Sequence, residues 1–204
     1  MIRKPNNWNE VKEFTEFVKL PLGAYVCKIR QVAIQNNGYG DQLFILFDIA
    51  EGEFAEYFSN EFKNNQNAEK KWKGVLRQWL PKDDGSEKDE WTKSAFKGLI
   101  TSIEKSNPGY VFDWNENSLV GKKIGVMFRN EEWEYNGELG WAVRPFKAVS
   151  VDSVRNGDFR LPADKPLRNK PAAGSFGGYN DFGVATASNG AYEVLTDEDS
   201  DIPF

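Results

Sequence analysis

The chain has 204 residues and a formal net charge of −5, and 28% of its residues are charged. It contains no histidine and one cysteine, Cys27, which excludes the commonest general base, the commonest zinc ligand, every histidine-dependent nucleophile and an internal disulfide. It also lacks an apolar run of about 18 residues and a charged-then-apolar leader. We therefore expect a cytoplasmic protein without a membrane partner, cofactor or metal, and with no enzymatic activity.

Residues 1–21 are predicted to form a short packing helix. Asn7 followed by Glu10 has the spacing of a capping box, apolar side chains then recur at helical spacing, and Pro21 stops the helix.

Three strands are predicted next, over residues 23–35, 43–49 and 54–58, because apolar side chains alternate or run together between turn residues. The first places Cys27 in the core, beside other apolar side chains. The loop between the first two strands holds Tyr39 between two glycines, and we expect this ring to be exposed.

Two amphipathic helices are predicted in the middle of the chain. Trp72, Val75, Leu76 and Trp79 follow helical spacing, and residues 96–103 repeat the pattern after a polar loop. We expect both tryptophans of the first helix to be buried.

Strands resume at residue 122. The pair Asn136-Gly137 lies between two strand-like runs and predicts a type I′ hairpin. We expect the last strand to continue to Val151 or Val154, with Pro145 marking a bulge or an edge.

This order predicts a mainly β fold, an OB-like five-stranded barrel with helices between strands three and four. The alternative is an α+β sheet with two helices on one face. We divide the chain into the N-terminal helix (1–21), a nucleic-acid-binding body (22–158), a flexible linker (159–196) and an acidic docking tip (197–204).

The charge is divided unequally along the chain. From Pro171 onward there are six acidic side chains and no Lys or Arg, so this part carries −6 and the remainder carries +1. The same part is rich in Gly, Ala, Ser and Asn, which predicts a disordered tether whose end lies on the order of 30 Å from its root. We expect the acidic tip to reach the body's own cations and to compete there with a polyanion.

The last eight residues combine carboxylates with Ile-Pro-Phe. They resemble the acidic tip of bacterial single-stranded-DNA-binding proteins, which that family uses to dock replication and repair enzymes. The resemblance implies that a helicase, primase, polymerase or recombinase docks on this tip. The candidate partner-binding residues are Asp197, Glu198, Asp199, Asp201, Ile202, Pro203 and Phe204.

The body, over residues 22–165, resembles an uncharacterised family encoded by phages and prophages of Gram-positive bacteria beside replication and recombination genes. The likeness is carried by LGAY (22–25), FDIAEG (47–52), FRNEE (128–132) with YNG (135–137), and NGDF (156–159) with LP (161–162). It implies a role in phage DNA metabolism, in the cytoplasm of the host cell.

Single-strand binders combine cations that follow the phosphates with aromatic rings on which bases stack. The predicted function is therefore to coat single-stranded DNA without sequence preference during replication, recombination or repair. If Trp133 and Tyr135 share a face, the hairpin register leaves Gly140 beside them with room for a base. The candidate DNA-binding residues are Lys28, Arg30, Tyr39, Lys122, Lys123, Arg129, Trp133, Tyr135, Arg144 and Lys147.

Other functions stay open at this point. A strand-annealing recombination mediator would pair complementary strands, and a pure adaptor would recruit enzymes with little DNA binding. A magnesium-dependent nuclease could use Asp48, Glu51 and Glu53. The sequence leaves a homo-oligomer open.

Overall fold

The computed structural model describes residues 3–9, 18–66 and 69–167. Most of the predicted N-terminal helix, the predicted linker from residue 168 onward and the docking tip lie outside these ranges.

The described residues form a mainly β protein with a five-stranded antiparallel open sheet. The strand order across the sheet is β3-β2-β1-β4-β5, which is consistent with an OB-like fold. The strands are β1 (Ala24–Asn36), β2 (Asp41–Ile49), β3 (Val75–Trp79), β4 (Lys123–Tyr135) and β5 (Glu138–Val149).

Three helices are present in the described ranges: α1 (Tyr57–Asn64), α2 (Glu87–Ser106) and α3 (Val151–Asn156). A short 3-10 turn, Glu116–Leu119, precedes β4. As expected, a long helix lies between the third and fourth strands. Within this part of the chain, no helix has the length and apolar character needed to cross a membrane.

The third strand and the first mid-chain helix were predicted in the wrong places. Residues 57 and 58 begin α1, whereas Val75 to Trp79 form β3 instead of a helix. A short apolar run fits both the helical and the strand period, and pairing with a neighbouring strand decides between them. Gly74 accepts a backbone hydrogen bond from Phe47 of β2 at 2.9 Å, and β3 then pairs with β2 along its whole length.

The end of the body also differs from the prediction. β5 stops at Val149, and α3 begins after Ser150, whose hydroxyl accepts a hydrogen bond from the Ser153 amide and caps the helix. The bulge predicted at Pro145 is confirmed, because the β4–β5 register shifts there and leaves Phe146 without a partner.

The predicted hairpin is confirmed. Tyr135 pairs with Glu138, and the two residues between them, Asn136 and Gly137, have φ of 52° and 82°. Two positive φ values in a two-residue loop are the mark of a type I′ turn.

The core lies on one side of the sheet and beneath α2. Phe47 and Phe128 from the strands meet Phe96 and Ile103 of α2 there. Cys27 belongs to this core, as expected, and burial is the main cause that raises the pKa of its thiol well above the ordinary value. We call the opposite side of the sheet the outer face. It carries the odd-numbered residues of β4 and the residues that pair with them.

A carboxylate clamp joins three elements at one end of the sheet. Glu51 follows β2 and accepts hydrogen bonds from Lys123 at 2.8 Å and from Arg155 of α3 at 2.7 Å and 3.2 Å. Hydrogen bonds from Arg155 and then Lys123 lower the pKa of Glu51 from 4.5 to about 2.

Replacing Glu51 by Gln is expected to lower the free energy of unfolding by about 0.2 to 1 kcal/mol at neutral pH, since the carboxylate is 35% exposed and screened by water. A group whose folded pKa is lowered stabilises the protein above its unfolded pKa and loses that contribution as the pH falls through the folded pKa. The difference in the free energy of unfolding between wild type and E51Q should therefore shrink as the pH falls from about 4.5 to about 2. Urea unfolding across this pH range measures it.

The matched control for this prediction is Glu53→Gln in the same turn, because Glu53 is exposed. If the loss of unfolding free energy in E51Q stays constant as the pH falls, the ion pairs of Glu51 are not its cause.

Candidate nucleic-acid interface

The β4–β5 hairpin presents two aromatic rings on the outer face. Trp133 pairs with Gly140 and Tyr135 with Glu138, as the predicted register requires. Tyr135 is 70% exposed. A Cβ atom at Gly140 would lie 2.5 Å from Cζ2 of Trp133, so the indole rests against this glycine. The space expected to admit a base is occupied by the Trp133 ring, which is half-buried and held in place.

Cations accompany these rings. Arg129 and Arg144 are cross-strand partners on the outer face, and Lys147 pairs with Met127 next to them. The Arg129 guanidinium lies 4.2 Å from the centroid of Phe146 and forms an ion pair with Glu131. Arg144 and Lys147 are exposed. The outer face of the hairpin therefore carries aromatic rings and cations together with two carboxylates, Glu131 and Glu138.

A second aromatic surface lies at the loop between β1 and β2. Tyr39 is 63% exposed there, between Gly38 and Gly40. A Cβ atom at Gly40 would lie 2.9 Å from Cε of Lys82 and 3.6 Å from the Trp79 ring. This loop and the segment after β3 line a groove of about 430 Å³.

The candidate set from the sequence leaves out Trp79, Arg77 and Lys82. The sequence predicts Trp79 as a buried residue of a helix and places Lys82 in the polar loop that follows. On β3, Trp79 pairs with Gln42 and Arg77 with Phe44, so both point to the outer face. The Arg77 guanidinium lies 5.4 Å from the centroid of the Phe44 ring. The alternation of Leu76 and Gln78 with these residues was the available strand signal.

The remaining predicted cations lie at the other end of β4. Lys28 pairs with Lys123 on one side and with Asp48 on the other. Arg30 lies 3.8 Å from Asp48, and Lys122 lies 4.2 Å from the centroid of the Tyr110 ring.

Helix α3 separates this second group from the hairpin cations. A Cβ atom at Gly125 on the outer face would lie 2.6 Å from Val154 of α3 and 2.9 Å from the Ser150 carbonyl. Lys123 and Tyr135 are twelve residues apart on β4, or about 40 Å at about 3.3 Å per residue. The ten candidate residues thus lie in separate areas, where the sequence had suggested one track.

Two of the three carboxylates considered for a nuclease have other contacts, and the third, Glu53, is exposed. Asp48 is 1% exposed and accepts hydrogen bonds from the amides of Ile49, Phe58 and Ser59. Glu51 forms the clamp described above. Among residues 3–9, 18–66 and 69–167, no group of three or more His, Cys, Asp and Glu side chains is arranged to hold a metal ion.

No protein-family model matches the chain, and no curated protein matches it. A proposal about function therefore rests on the residues described above.

Proposed function

We propose that this protein binds single-stranded DNA without sequence preference on its outer face, and that it recruits DNA-processing enzymes through the acidic segment ending in Ile-Pro-Phe. It acts without catalysis. The observation that supports the proposal most directly is that partly or fully exposed rings share the outer face with cations. The rings on this face are Trp79, Trp133 and Tyr135, and the cations are Arg77, Arg129, Arg144 and Lys147, with Glu131 and Glu138 among them. Tyr39 and Lys82 lie in the loops next to Trp79.

An OB-like barrel connects the two aromatic surfaces. Cα atoms of β3 and β5 approach within 8 Å, at the position where an open sheet of this order would close. OB barrels bind their ligands across strands two and three, between the first and last hairpin loops. In this chain those elements carry Trp79, Tyr39 and the hairpin rings.

Stacking and phosphate contacts account for binding without sequence preference. Every base has a π face, and stacking on an aromatic side chain contributes about 1 to 3 kcal/mol per base. Cations neutralise phosphates and release counterions, so the affinity falls as the salt concentration rises.

Titration with oligo-dT at several salt concentrations tests the proposal, with the full chain and with a chain that ends at residue 167. We expect quenching of tryptophan fluorescence, and an affinity that decreases with salt for both proteins. No quenching, or an affinity indifferent to salt, would rule the proposal out.

Deleting Phe204 alone is expected to weaken the binding of a partner enzyme by at least about 30-fold, the effect of losing a hot-spot anchor worth about 2 kcal/mol. The affinity for oligo-dT should not change, because the ring belongs to the docking segment. Surface plasmon resonance with a helicase, primase, polymerase or recombinase measures the first quantity, and fluorescence anisotropy measures the second.

A change of Phe176 to Ala serves as the control, since it removes another aromatic residue from the same acidic part of the chain, residues 171–204. If loss of Phe204 weakens DNA binding as much as enzyme binding, the assignment of DNA binding to the body and of enzyme binding to the tip is wrong.

A further inference from the structure

A cationic groove lies at the end of the sheet, on the far side of α3 from the hairpin. It is formed by the end of α2, the start of β4 and α3, and its volume is about 690 Å³. Its lining includes four basic side chains, Lys105, Lys122, Lys123 and Arg155, and one acidic side chain, Asp152.

The positive charge of this groove is only partly compensated. Glu51 is shared between Lys123 and Arg155. Among the described residues, Lys105 and Lys122 form no ion pair with a carboxylate, and Lys122 is placed over the Tyr110 ring. An anion entering the groove would therefore meet two lysines, Lys105 and Lys122, that form no ion pair with a described carboxylate.

The walls of the groove are tied together by hydrogen bonds. The Asn107 amide donates to the carbonyls of Ile103 and Lys123 and accepts from the Lys123 amide, which joins the end of α2 to β4. The Ser106 hydroxyl accepts from the Val151 amide, which joins α2 to α3. A groove held this way loses little conformational freedom when an anion binds.

We propose that this groove is a second nucleic-acid site, which binds the phosphodiester backbone of a strand that also occupies the outer face. This inference rests on the proposed function. Lys28 is the cross-strand neighbour of Lys123, and Arg30 follows on β1, 3.8 Å from the buried Asp48, so a row of exposed cations continues beyond the groove. A row of cations matches the repeating charge of a polynucleotide.

The separation of the two sites predicts a dependence on strand length. Lys123 and Arg129 are six residues apart on β4, or about 20 Å. A short strand fills only the part of the outer face on the hairpin side of α3, whereas a longer one passes α3 and reaches the groove. Site sizes of OB folds run from about 4 to about 16 nucleotides, which gives the range of lengths to compare.

The test replaces both lysines without a carboxylate partner, in a Lys105→Gln/Lys122→Gln variant, and measures oligo-dT affinity against salt by fluorescence anisotropy. For strands of about 16 nucleotides or longer, the slope of log K against log salt should decrease by about 1.4, since each phosphate contact contributes about 0.7. For strands of about 4 to 6 nucleotides, the slope should equal that of wild type. Lys105→Gln alone should remove about 0.7 from the slope, and it provides a second reading if the double variant unfolds.

The matched control is Lys88→Gln/Lys97→Gln, which removes the same charge from exposed positions elsewhere on α2. An unchanged slope with long strands would overturn the groove proposal while leaving the outer face intact. Unchanged DNA binding together with loss of a synthetic peptide of residues 197–204 would assign the groove to the acidic segment, and would also overturn it. Absence of DNA binding by wild type at every length would be a failure of the proposed function itself.

Discussion

Replacing Trp79 by Ala should weaken oligo-dT binding by about 5- to 150-fold, because one base loses a stacking partner worth about 1 to 3 kcal/mol. Trp79 is half-buried on the outer face of β3, beside Gly40 and the exposed Tyr39 loop. Anisotropy of a labelled oligo-dT measures the affinity without relying on the fluorescence of the deleted residue.

Two variants show whether the loss comes from stacking. Trp79→Phe keeps a ring at this position and should retain most of the affinity. Trp114→Ala removes a ring that is 82% exposed but packs on Phe112 and Phe96 of the α2 side, so DNA binding should not change. Equal losses in W79A and W114A, or no loss in W79A, would show that the outer face of β3 is not the binding surface.

Replacing Asp48 by Asn should lower the free energy of unfolding by about 3 kcal/mol. One carboxylate oxygen accepts from the Ile49 and Phe58 amides at 2.9 Å and 3.0 Å, and the other accepts from the Ser59 amide at 3.1 Å and from the Ser59 hydroxyl. An Asn side chain turns one of these acceptors into a donor that faces another donor. A lost charged hydrogen bond costs about 1.5 to 3 kcal/mol, and an unsatisfied buried group costs about 1 to 3 kcal/mol.

Urea unfolding at neutral pH measures this difference. The control is Asp158→Asn, which makes the same chemical change at an exposed position. A loss below about 0.5 kcal/mol, the usual range for surface substitutions, would mean that Asp48 does not hold the start of α1 against β2.

The docking role that the tip's resemblance to single-stranded-DNA-binding proteins implies is a prediction, and so is the proposed function. The measurements above test both. The structure adds where the body's side chains lie. It places Tyr39, Trp133 and Tyr135 at strand ends and loops, and it adds Trp79 and Lys82 next to the Tyr39 loop and Arg77 beside Phe44 on β3.

Local chemistry was enough to predict several elements. The Asn136-Gly137 turn and its register followed from the two residues themselves, because their preference for positive φ suits one hairpin geometry. Apolar spacing predicted α2, and alternation placed Cys27 in the core. The bulge at Pro145 followed from the missing amide hydrogen of proline.

Contacts between distant residues decided the rest. The segment ending at Trp79 became a strand because β2 offers it a free edge, and α1 begins where Asp48 accepts its first amides. The cations lie in two areas, one at the hairpin and one at the start of β4, because α3 packs over Gly125 between them. Sequence alone therefore determined the elements whose geometry is set by near neighbours. Strand pairing, helix docking and the layout of the candidate interface depended on partners many residues away, which no local period encodes.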